Sequence, residues 1–151
     1  MVRSRSDDGA SAVEFALVMV PLLTLFFGIL QYGLYFWTMQ GGVDAARRAA
    51  RTAAVGTTAG CTDFRRQVAG SLGAISSDAT KVKVARTYTT QAGSTTVAPG
   101  DKVEVTVQLA AYDLNLPFVP FLRGGLISST ASARVDYLPA APERSCTLAA
   151  P

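Results

Sequence analysis

The sequence predicts an α+β fold: a long N-terminal transmembrane helix continuing into an Ala-rich stalk helix, then a short helix and a three- to four-stranded antiparallel sheet. Three observations lead there. No charged residue falls between Phe15 and Val43. Alanines at 45, 46, 49, 50, 53 and 54 gather on one side of the helix that follows. Beyond residue 81 apolar side chains alternate with polar ones, the period of strands wet on one face.

The run Phe15–Trp37, FALVMVPLLTLFFGILQYGLYFW, is apolar throughout. A bilayer core asks for ~20 such residues as helix. Tyr32, Tyr35 and Trp37 crowd its C-terminal end, where aromatic side chains settle at lipid headgroups. Pro21 would break a soluble helix, but a membrane helix tolerates it with a local kink. A cleavable secretory signal fits poorly. The run exceeds an ordinary h-region, its exit is bulky rather than small-x-small, and the acidic Glu14 stands immediately before it. Residues 1–9 read as a leader peptide, 10–42 as the transmembrane helix, 43–138 as an extracytoplasmic α+β domain and 139–151 as a loosely ordered Pro/Ala-rich tail.

The segment VDAARRAARTAAV, residues 43–55, continues the helix. Its alanine side permits close packing on a sheet, while Arg47, Arg48 and Arg51 face elsewhere, as a solvated surface touching headgroups. Gly41-Gly42 is expected to loosen the junction. Residues 57–60 break the pattern. Phe64, Val68 and Leu72 then recur at helical spacing, with Thr62 or Asp63 as the cap. Strands are expected at Lys81–Tyr88, Lys102–Leu109 and Ile127–Tyr137. Turns are expected at Gln91–Ser94 and at Pro99-Gly100-Asp101, with a Pro- and Gly-bearing connection over 113–125.

Composition removes several functions. With no histidine, imidazole bases, His-containing triads and most zinc sites are gone. A net charge of +3 is too small to argue for nucleic acid. No P-loop or dinucleotide glycine pattern occurs, and Asp101, Glu104 and Asp113 are scattered acids. No cofactor or metal is therefore expected, and the chain reads as a non-enzyme. Cys61 and Cys146 suit a single disulfide in an oxidising compartment, worth ~4 kcal/mol by loop entropy, the alternative being two free thiols.

The informative constellation is Gly9-Ala10-Ser11-Ala12-Val13-Glu14-Phe15, set against the apolar helix. Alone, Glu14 is an acid favoured at a helix N-terminus. In combination, a short polar leader, a glycine, four residues, a glutamate and an aromatic resemble the arrangement of type IV pilins. That resemblance implies cleavage between Gly9 and Ala10 by a prepilin peptidase on the cytoplasmic side. A charge within an apolar helix bundle costs ~3 kcal/mol or more. The new α-ammonium of a neighbouring subunit is the compensating partner for Glu14.

More narrowly, AVEFALV, the following Pro21, the glycine and aromatics at the helix exit and the Ala/Arg-rich AARRAARTAA resemble the TadE family. Phe15 after Glu14 and the added domain fit its minor-subunit class. The resemblance implies a pilin-like subunit, or pseudopilin, of the tight-adherence (Flp, type IVc) pilus. Its partners would be membrane lipid, prepilin peptidase, other pilin-like subunits and the assembly platform. It also implies a single pass through the bacterial cytoplasmic membrane with the N-terminus inside. Lys and Arg counts alone would reverse that orientation, but the paired cysteines and the pilin pattern favour it. The competing reading is an uncleaved, membrane-anchored binding module; the state of the Gly9–Ala10 bond separates the two.

Overall fold

The computed structural model describes residues 7–56, 60–91, 94–116, 125–139 and 141–151. Helix α1 runs unbroken over Asp7–Ala54, through Pro21. It is followed by α2 (Cys61–Leu72), a 3-10 turn (Ala79–Lys81) and strands β1 (Lys83–Thr89), β2 (Lys102–Ala110), β3 (Leu126–Arg134) and β4 (Ser145–Ala149). The strands form one antiparallel sheet in the order β3-β2-β1-β4. The α+β architecture is the one the sequence predicts.

One sheet face is covered and the other wet, as the alternation requires. Val103, Val105, Val107 and Leu109 of β2 point into the core and are fully buried. The register aligns them with Tyr88, Arg86 and Val84 of β1 on one side and with Ala133, Ala131, Ser129 and Ile127 of β3 on the other. The cover is the upper half of α1, whose six alanines are all buried. Alanine leaves the helix smooth enough to lie close to the sheet. Beside it, Phe64, Val68 and Leu72 of α2 complete the core. On the wet face Thr106 and Thr130 share a hydrogen bond across β2 and β3.

The junction is where expectation and structure part. Gly41 and Gly42 lie within continuous helix and allow close approach rather than loosening. A Cβ on Gly42 would stand 3.0 Å from Leu109 Cδ2 and 3.1 Å from Ser129 Oγ; one on Gly41 would stand 2.7 Å from Ile75 Cγ2. Neither Thr62 nor Asp63 caps α2. The cap position is Gly60, with no side-chain bond, and Asp63 instead pairs with Arg66 in the first turn. The first strand starts two residues later than expected because Asp78 folds the preceding residues into the 3-10 turn, accepting from Thr80 N at 2.9 Å.

The last expected strand stops at Arg134. There the chain turns to donate Asp136 N–H to Ala54 O, satisfying the end of α1. At the Pro-Gly-Asp turn, Gly100 takes φ +95°, a conformation open mainly to glycine. Part of the Gln91–Ser94 turn and most of the 113–125 connection lie outside the described residues, as do residues 57–59. The 139–151 segment, read as a loose tail, supplies edge strand β4 against β1. Within β4 Cys146 is the one buried residue, joined to Cys61 at the start of α2.

Candidate functional site

Gly9 and Ala10 lie in the first turns of α1, exposed, and Glu14 and Phe15 follow one turn on, also exposed. Residues 1–6, most of the expected leader, lie outside the described residues. Over residues 9–30 every side of the helix is open, apart from half-buried positions at Thr24 and Gly28. Thr24 spends its hydroxyl on Val20 O at 2.9 Å, so it adds no free polar group to the column. Leu17, Leu22, Leu25, Phe26 and Ile29 are among the large apolar side chains left uncovered. The chain's own domain cannot reach them.

Among the described residues Glu14 has no ion-pair partner. The site is thus an acid at the start of a bare apolar rod. By length and composition α1 is the one helix able to cross a membrane among the described residues, compatible with a single-pass anchor. Among the described residues nothing in the chain covers this apolar surface or pairs with its acid.

The covered part of α1 begins at Gln31, which is 1% exposed inside an otherwise apolar run. Its side-chain amide donates from Nε2 to Tyr112 O and accepts at Oε1 from Leu114 N, both at 2.9 Å. The segment after β2 is thereby pinned to the helix, with the Trp37 and Tyr112 rings 6.1 Å apart. Sequence reasoning passed over Gln31. Its one signal was an amide within the apolar segment, where an unsatisfied polar group is costly.

A second residue missed by sequence is Arg86. It sits on the core parity of β1 between Val84 and Tyr88, and it is completely buried. Its guanidinium carbon lies 4.6 Å from the centre of the Phe64 ring and 5.3 Å from that of Tyr88, a cation between two aromatic faces. Burial lowers its pKa, opposed by Tyr88 and Glu143. Burial likewise raises the Tyr88 phenol, opposed by Arg86. The Tyr88 hydroxyl donates to Ala53 O at 2.9 Å, tying β1 to α1. This cluster is structural: it locks the two helices to the sheet.

The three acids near the strands, Asp101, Glu104 and Asp113, are engaged locally. Asp101 is buried and accepts from Gln91 N and Ala98 N, stapling its turn. Glu104 pairs with Lys102, and Asp113 accepts from Asn115 N. Glu143 lies beside Cys61 and Cys146, but those sulfurs are bonded to each other with Cα atoms 5.6 Å apart, and a disulfide sulfur is not a thiolate ligand. An open groove of about 160 Å³ between α1 and α2 is lined by Ala45, Arg48, Ala49, Thr52, Gln67, Val68 and Ser71, and Arg48 there is already paired with Asp44.

Compared with known proteins, residues 9–51 match the model of a family described as TadE-like protein. The match starts at Gly9 and ends within the alanine-faced stalk. No curated protein and no solved structure matches the chain.

Proposed function

We propose that this chain is a pilin-like subunit, a pseudopilin, serving assembly of a tight-adherence (Flp-type) pilus, and that it acts by anchoring and helix packing without catalysis. The observation that carries the reading is the bare apolar helix of residues 9–30 with Glu14 at its start, lying within the TadE-like match. Prepilin peptidase removes the leader at the Gly9–Ala10 bond. The new ammonium on Ala10 of one subunit then meets Glu14 of its neighbour, while the apolar columns pack side by side. A buried anion without that cation would be strongly disfavoured, so cleavage precedes stable packing. The N-terminus is cytoplasmic, and the sheet domain is held outside on the rigid continuation of the same helix.

Mass spectrometry of the chain purified from cells with active prepilin peptidase tests this. The expected protein begins at Ala10. A functional protein that keeps its first nine residues would refute the reading.

A further inference from the structure

The helix is claimed twice over about one turn. A hydrocarbon core ~30 Å thick takes ~20 helical residues, and counted from the residue after Glu14 that length ends near Leu34. The domain, however, already covers α1 from Gln31 upward. The stretch between the two levels cannot be wrapped by lipid on all sides, because the segment after β2 lies against it through Gln31.

We propose that this segment, residues 111–116, is a second membrane contact: it rests in the acyl–headgroup boundary of the outer leaflet, with Leu114 directed into lipid. The proposal rests on the membrane-anchored reading of α1 and adds a lipid-facing part to the domain itself. Three features fit that occupant. Leu114 is 44% exposed although apolar. Phe36 and Trp37, 51% and 50% exposed, lie five and six residues beyond Gln31 along α1 and extend the apolar surface, with Trp37 beside Tyr112 of the segment. Two of the backbone groups that would be costly there are met, since Tyr112 O and Leu114 N are both bonded to the Gln31 amide. Gln31 thus has a positioning role: a polar side chain at the hydrocarbon edge holds an irregular segment at bilayer depth by satisfying it. A domain seated this way has its tilt fixed by two contacts rather than by one helix.

The chain contains a single tryptophan, Trp37, so indoles can be placed one at a time in a W37F background. Full-length W37F chains carrying L114W, L22W or T87W would be reconstituted in vesicles of phosphatidylethanolamine and phosphatidylglycerol, with lipids brominated either near the headgroup or near the bilayer centre. In the L114W chain, headgroup-proximal bromine is expected to remove about half of the emission, and acrylamide quenching to be about threefold weaker than in the T87W chain, whose indole lies on the wet sheet face. Adding Q31A should return the L114W indole to water-like quenching while L22W is unaffected. Equal behaviour of L114W and T87W, with L22W quenched by deep bromine, overturns the proposal and leaves the anchor intact. If L22W also escapes bromine, the anchor fails and the proposal with it.

Discussion

Gly42 tests how closely α1 lies on the sheet. Replacing an interior helical glycine by alanine normally stabilises, by ~1 kcal/mol, through lost unfolded-state freedom and better helix propensity. Gly70 in α2 has nothing within 4 Å of a built Cβ and should show that gain in full. At Gly42 the same methyl meets Leu109 Cδ2 at 3.0 Å and Ser129 Oγ at 3.1 Å. Leu109 is fully buried and Ser129 nearly so, on adjacent strands, so neither yields freely. Relief requires the helix to move off the sheet, along which Ala45, Ala46, Ala49 and Ala50 are also packed. Overpacking of this kind costs ~1–3 kcal/mol. G42A should therefore be neutral to destabilising and G70A stabilising, a difference of ~1–3 kcal/mol. Thermal unfolding of full-length protein in detergent, followed by near-ultraviolet circular dichroism, would separate their midpoints by several degrees, at ~4–8 °C per kcal/mol for a unit of ~100 residues. Equal stabilisation in the two variants would refute the close approach, and with it the alanine face as the sheet's cover.

Three further outcomes are expected. Gly9→Leu should leave the chain at full length on immunoblots, whereas Glu14→Ala should permit cleavage but abolish co-purification with other pilin-like subunits. The double change Cys61→Ser with Cys146→Ser should cost ~4 kcal/mol in urea unfolding, from release of a loop spanning 85 positions, and hydrogen exchange should speed up in Ser145–Ala149 before β2. Tyr88→Phe should cost ~1 kcal/mol by loss of the bond to Ala53 O. It should also flatten the alkaline end of the stability profile. The folded Tyr88 pKa is raised, so its contribution is complete below the unfolded value near 10 and is lost as pH climbs through the folded one; unfolding midpoints measured at rising pH check this.

What the sequence made legible was periodic. The charge-free run, the alanine spacing at 45–54 and the alternation in β2 each repeat over several turns or pleats, so one residue out of pattern does not hide them. What escaped was set by single contacts. Arg86 shares the parity of Val84 and Tyr88, but what lets a cation hold that core position is the Phe64 ring of α2, brought against it only by the fold. Gly41 and Gly42 read as weak helix until Ile75 and Leu109 are brought against them. Strand β4 pairs with β1 at few positions, with a register shift between Val84 and Arg86 of β1, and is too short to announce itself within a Pro/Ala-rich segment. The 9–30 column is the opposite case: its composition was plain, but its isolation from the domain needed coordinates.

That isolation also bears on the arginines that complicate orientation. On the proposed placement the bilayer edge lies near Leu34, and Arg47 stands ~20 Å of helix beyond it. Arg47, Arg48 and Arg51 are exposed, so their charges clear the headgroups of an upright helix instead of lying among them. Arg48 is partnered by Asp44 at 2.7 Å, one helical turn below. Attraction to anionic lipid decays within a Debye length of ~8 Å, so at this height it contributes little. Arginine is also a strong helix former, and three of them on the open side keep the alanine face turned to the sheet. The charges follow from the need to carry a helix through the domain in water. They are therefore a weak guide to which side of the membrane that domain occupies.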